Sequence, residues 1–251
     1  MTTGIEPTST RRPSRAWSAV GVLGELLITL GVLLLLFVAY QLLWTNVTAQ
    51  RAADQATAEL QESWSRPPAT SGGSGGSGDE GDEDDDQPEA RPEIGTAFAL
   101  MYIPRLSDKV WGMPVLESVE LYDLARGIGH YPQTQLPGEK GNFAVAAHRA
   151  TNGEPFRDID RLEVGDSVFV ETREAWYEYT LRRDQIVSPT GTWVIDPVPG
   201  DPGATPSERL ITLTTCNPRW GSTTRWIWWG DLTARYDKAD GEIPAQVEAG
   251  R

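Results

Sequence analysis

The longest apolar run in the chain, VGVLGELLITLGVLLLLFVAYQLLW at residues 20–44, is broken by one charge, Glu25. At a helical rise of about 1.5 Å per residue this run crosses a hydrocarbon layer of about 30 Å, so the pattern predicts a transmembrane helix. Arg11, Arg12 and Arg15 lie before it and Arg51 is the first basic residue after it. That asymmetry places the N-terminal tail, residues 1–19, in the cytoplasm and everything beyond the span outside. A secretory signal peptide shares the polarity, and Val47-Thr48-Ala49 resembles its cleavage site, but its apolar core is only about 7–15 residues long. An uncleaved anchor is therefore expected, with Glu25 near its cytoplasmic end and assigned no role.

Residues 45–64 include AADQATAELQESW, rich in helix formers, and read as a short helical stalk. The next stretch, SGGSGGSGDEGDEDDDQPEARPE at residues 71–93, mixes Gly/Ser with like charges and cannot bury a core, so it reads as a disordered spacer. From residue 94 to 237 the period shortens to that of strands. NFAVAA (142–147), SVFVET (167–172), WYEYTL (176–181), LITLTT (210–215) and RWIWW (225–229) are short β-branched or aromatic runs between Gly, Pro, Asp and Asn clusters. An all-β, closed or nearly closed barrel is the economical fold, because closure removes the edges that short strands leave. Residues 119–126 and 156–162 are expected to add a helical turn or two each, and 238–251 reads as a tail.

Composition sharpens the picture. Twenty-two basic and 36 acidic residues leave a net charge of −14, which argues against a nucleic-acid surface. Eight of the acids fall between Asp79 and Glu89, and without them the charge would be −6, so much of the acidity belongs to the spacer. One Cys and two His exclude a disulfide scaffold or a cysteine-rich zinc module. Asp158, Asp160, Glu163 and Asp166 are close enough in sequence to raise a calcium site, but they read as a solvated loop face, and no metal or cofactor is predicted.

The chemistry must come from few groups. Cys216 ends the alternating run at a strand terminus facing the Asn217-Pro218 loop, a place where reactive side chains are mounted, although a lone Cys is often a small buried hydrophobe. Arg225 opens the next strand run nine residues later. An antiparallel pairing joined by residues 217–224 would set it beside Cys216, where a guanidinium favours a thiolate or holds an oxyanion. Its bland alternative is an ordinary edge-strand charge. His148, at the end of NFAVAAH, is the preferred proton carrier. His130, within the turn-like Gly129-His130-Tyr131-Pro132, is its rival.

These residues carry a family likeness. TLTTCNPRWGSTTR (212–225) resembles the TLxTC signature of sortases, with the trailing arginine at matching spacing, and NFAVAAHR resembles their histidine motif. The span, the tether and the order His, Cys, Arg agree. GHYPQTQLPGEKGNFAVAAHRATNGEPF and TTCNP are similar to the class E sortases of actinobacteria. The likeness implies an eight-stranded barrel and a cysteine transpeptidase. Such an enzyme cuts an LAxTG- or LPxTG-type sorting motif between Thr and Gly, holds the Thr as a thioester, and passes it to an amine of a lipid-linked peptidoglycan precursor. It further implies Cys216 as nucleophile, His148 as general acid and then base, and Arg225 as the oxyanion or positioning group. Tyr131 would read the sorting motif, with Thr215, just before the cysteine, and Trp220, in the loop beyond it, as further substrate contacts. The partners implied are secreted proteins bearing a C-terminal sorting signal, the precursor amine and the membrane, without nucleic acid.

The sequence departs from many relatives at Ala147, where Gly is frequent, and at Asn217, where some carry His; neither change removes a reacting group. Seven of the ten tryptophans lie between residues 94 and 237, and all but Trp220 are expected to pack the barrel. A non-catalytic wall-binding or interaction module on a membrane stalk is the competing reading. A transpeptidase acting directly on peptidoglycan peptides is another, one with no need of Arg225.

Overall fold

In a computed structural model, residues 15–66 and 91–250 are described. Residues 1–14 of the N-terminal tail and nearly all of the acidic spacer, including Asp79 to Glu89, lie outside them. By backbone contacts the chain divides after Trp44 into two units.

The first unit holds helix α1 (Arg15–Ala39) and a π-helical turn at Tyr40–Trp44. Within it Val20–Ala39 has a mean hydropathy of 2.6 and none of its residues is buried. An all-round apolar helix of this length fits a single-pass membrane anchor. Glu25 stays exposed, and its carbonyl accepts a hydrogen bond from Thr29 Oγ1.

The second unit begins with α2 (Thr45–Ser65), and its described residues contain eight strands: β1 (Ala97–Tyr102), β2 (Trp111–Leu116), β3 (Ile128–His130), β4 (Gly141–Ala146), β5 (Ser167–Glu171), β6 (Ala175–Val187), β7 (Arg209–Asn217) and β8 (Thr224–Asp237). They close in the order β1-β2-β3-β4-β7-β8-β6-β5, the last pairing with the first. Most neighbours are antiparallel, but β2/β3 and β4/β7 run parallel. The closed barrel is the architecture expected from the strand pattern. Its interior is filled by Phe143, Val145, Tyr179, Leu181, Ile211, Leu213 and Trp228 together with Met101, Val115 and Ile128.

Two polar networks are sealed in this wall. Asn142 Nδ2 donates to the Asp196 carbonyl at 3.0 Å, its Oδ1 accepts from Thr212 Oγ1 at 2.7 Å, and Trp229 Nε1 donates to the Val194 carbonyl at 3.2 Å. The β6–β7 connection is thereby fastened across β4 and β7. The second network centres on His130, whose Nδ1 lies 2.5 Å from Glu117 Oε2 while Nε2 meets Thr134 Oγ1 and the Gln135 carbonyl, each at 3.0 Å.

Two segments differ from their sequence reading. The helix read as a stalk buries Ala49, Ala53, Ala56 and Leu60, and Leu60 packs with Tyr102, Trp176 and Val247. Small residues at helical spacing let α2 lie close on β1 and β2, a signal hidden by its otherwise polar composition. The stretch read as a tail contains α4 (Ala245–Glu248), whose Val247 is fully buried in the same cluster. Residues 119–126 and 156–162 each form the short turn expected of them, α3 (Leu121–Leu124) and a 3-10 turn at Ile159–Arg161. Of the tryptophans, Trp176, Trp228 and Trp229 are buried and Trp220 is exposed, while Trp111, Trp193 and Trp226 are half-buried.

Candidate active site

Cys216 and Arg225 are direct cross-strand partners at one end of the β7/β8 ladder, a placement that brings their Cβ atoms to about 5 Å. The hairpin joining them holds the one cis peptide among the described residues, Asn217-Pro218. Cys216 is half-buried at the strand end, not packed as a core hydrophobe. Arg225 is fixed through Nη1, which donates to the carbonyls of Ser222 and Thr224 at 3.0 Å each. That leaves Nε and Nη2 as its remaining donors.

His148 arrives from the other side. Strand β4 runs parallel to β7 with Ala146 opposite Thr214. The match continues past the strand: Ala147 N donates to the Thr214 carbonyl at 3.2 Å and Thr215 Oγ1 donates to the Ala147 carbonyl at 2.7 Å. The next step sets His148 level with Cys216, so three strand ends deliver a sulfur, an imidazole and a guanidinium to one rim. Burial pushes the His148 pKa below its ordinary value, and its Nε2 is sealed from solvent without a hydrogen-bond partner. An imidazole so placed is mostly neutral near pH 7 and has a ring nitrogen free for an incoming proton or leaving group. His130, the rival, is fully buried with its ring nitrogens engaged by Glu117, Thr134 and Gln135, which removes it from the rim.

Tyr131 is half-buried beside the same strand, its hydroxyl 3.2 Å from Thr214 Oγ1. Thr215 is buried, and its hydroxyl proton is committed to Ala147. Trp220, on the loop after Cys216, is 67% exposed, with the Arg219 guanidinium 5.1 Å from its ring.

Two ties were not evident from the sequence. Arg149, directly after His148, donates from Nη1 to Asn217 Oδ1 at 2.6 Å, from Nη2 to Asp160 Oδ1 at 3.1 Å, and lies 4.9 Å over the Trp226 ring. The residue after the imidazole thus holds the residue after the thiol, which gives Asn217 a reason to be a side-chain acceptor. The second tie is Glu154, in the loop beyond His148. The only signal for either was a charged residue in a motif loop, too common to single out. Of the four acids that raised a calcium site, Glu163 and Asp166 pair with Arg105 at 3.1 and 2.5 Å and Asp160 with Arg149. These are cation–carboxylate pairs, and no cluster of three ligand-type residues occurs among the described residues.

A sortase-domain family model matches residues 101–233. Sortase SrtE1 of Streptomyces coelicolor is 39% identical over 245 residues, 94% of this chain and 64% of its own length, so the chain spans a little under two thirds of that relative. Sortase SrtE2 of the same organism is 37% identical over 240 residues, covering 92% of this chain and 89% of its own. Among solved structures, sortase E1 of S. coelicolor with a tripeptide in the active site is similar with a TM-score of 0.55 and 36% identity, over 60% of this chain and 96% of that one.

Proposed function

The chain belongs to the sortase family of cysteine transpeptidases, and from that premise we propose that it cleaves an LAxTG- or LPxTG-type sorting motif between Thr and Gly at Cys216. The observation that carries this reading is the Cys216/Arg225 cross-strand pair with His148 level beside it.

In the proposed reaction neutral His148 takes the Cys216 thiol proton as the sulfur attacks the Thr carbonyl carbon, and the carbonyl oxygen becomes an anion received by Nε or Nη2 of Arg225. The C–N bond then breaks as the imidazolium of His148 gives its proton to the departing Gly nitrogen, leaving a Thr thioester. An amine of a lipid-linked wall precursor attacks that thioester. Its proton passes to His148, the C–S bond breaks and the thiolate returns. Tyr131 and Trp220 are assigned to the substrate side, Tyr131 beside the strand end and Trp220 as an apolar face on the loop. Thr215 contributes there through its backbone, since its hydroxyl braces the histidine's strand. The tripeptide in the active site of the S. coelicolor enzyme supports a peptide-binding rim. The helix α1, read with the basic residues before it, supports anchoring in the cell membrane with the barrel outside, facing secreted substrates.

The test is a fluorogenic LAxTG-type peptide with a soluble amine. The full chain is expected to release the Gly-side fragment and yield an acyl-enzyme on Cys216 detectable by mass spectrometry, and Cys216→Ala to do neither. Equal turnover by the Cys216→Ala variant would end the proposal. Because burial lowers the His148 pKa, the acid limb of kcat/KM should break below 6.5.

A further inference from the structure

We propose that Glu154 is a positioning residue of the transfer reaction: one buried carboxylate that locks the His148 loop, the Cys216–Arg225 loop and α2 into a single arrangement. The inference rests on the roles given above to Cys216 and His148.

Glu154 is only 5% exposed and lies in the loop that follows His148. That loop is closed on the histidine itself, since Phe156 N donates to the His148 carbonyl at 3.0 Å. Its backbone is held in the left-handed region at four consecutive residues, Thr151, Asn152, Gly153 and Glu154, with φ of 59°, 49°, 81° and 46°. Three of these carry side chains, for which such a conformation is costly and persists only when surrounding contacts enforce it. The contacts are visible. Asn46, in the first turn of α2, grips the loop with both ends of its amide: Nδ2 donates to Glu154 Oε1 at 3.1 Å, and Oδ1 accepts from Gly153 N at 3.0 Å.

The second oxygen reaches the other half of the site. Arg219 Nη2 donates to Glu154 Oε2 at 3.1 Å, and Arg219 stands three residues after Cys216 on the loop whose Ser222 and Thr224 carbonyls hold Arg225. Lys109 Nζ at 3.7 Å and Arg157 Nη1 at 3.5 Å complete the surroundings. A single anion therefore sits among three cations from three segments. Neutralising it removes the one carboxylate they share and leaves three cations facing one another, so the segments should separate. None of these groups belongs to the barrel interior. What the carboxylate fixes is the relative placement of the two loops that carry the reacting side chains, and small misplacements there are expensive in rate.

The test uses the full chain in detergent micelles with the fluorogenic LAxTG-type peptide. Glu154→Gln is expected to lower kcat about tenfold to a hundredfold with KM within about twofold of the parent. Arg219→Met should reproduce the loss, and the double variant should be no worse than the poorer single one, because both remove the same tie. If Glu154→Gln does not fold, Arg219→Met carries the test. Cys216 is the sole thiol, so its rate of alkylation by iodoacetamide reads the site without substrate, and Glu154→Gln should change it by at least about twofold. Unchanged kcat and unchanged alkylation with a lowered Tm would overturn the proposal, as would a rise in KM alone. A parent chain that cleaves no sorting peptide while Glu154→Gln still alters alkylation would defeat the proposed function and leave the positioning role standing.

Discussion

Two histidines, one residue type, have opposite surroundings. His130 has both ring nitrogens occupied and Glu117, itself 2% exposed, against it, whereas His148 has a sealed Nε2 with nothing to bond. His130→Gln is therefore expected to cost about 3 kcal/mol of stability by stranding a buried carboxylate, while turnover persists where the protein is folded. His148→Gln should abolish turnover and leave the denaturation midpoint close to the parent's. Urea melts and peptide cleavage on both variants check the pair, and an exchange of those two outcomes would reverse the assignment. The sequence favoured His148 because it ends a strand run, and Cys216 because it is the lone thiol at a strand terminus, whereas Arg225 by position alone reads as an ordinary edge charge and took its role from the family likeness. Glu154 and Asn46 were not legible: their contact bridges 108 positions, and neither residue type is unusual where it stands.

Among the elements, α2 shows how a polar-looking helix becomes structural. Its contact stripe is mostly alanine, so the energy is concentrated at Leu60, packed on Tyr102, Trp176 and Val247. Leu60→Ala is expected to destabilise the second unit by about 2–4 kcal/mol, seen as a lower urea midpoint; a change under about 0.5 kcal/mol would mean that α2 only spaces the barrel from the membrane. Alanine gives little hydrophobic signal, which is why the packing face passed for a solvated stalk. The strands divide similarly. Those from β4 onward announced themselves through β-branched and aromatic runs, although β6 and β8 extend well beyond the runs. The first three were missed: in β1 four successive residues are buried, leaving no alternation, β2 contains Gly112 and Pro114, and β3 is three residues long. Closure of the barrel was still inferable, since any set of short strands faces the same exposed-edge cost.

For the whole molecule, an apolar helix and a folded unit with one thiol make orientation measurable. Intact cells producing the full chain should allow a membrane-impermeant maleimide to label Cys216, with the protein retained in the membrane fraction after a high-salt wash. Labelling only after lysis would place the barrel on the cytoplasmic side. The order of the strands in the closed sheet has its own consequence. The histidine follows the end of β4 and the sulfur sits on β7, the two segments being tied by the Thr215–Ala147 bond across 68 positions, and β8 must then supply the guanidinium. A chain still emerging from synthesis or export carries an imidazole without its sulfur, then a sulfur without its guanidinium. On the mechanism proposed above, turnover becomes possible only once the final third has paired beside the earlier strands, so a half-made chain would lack the complete set of reacting groups.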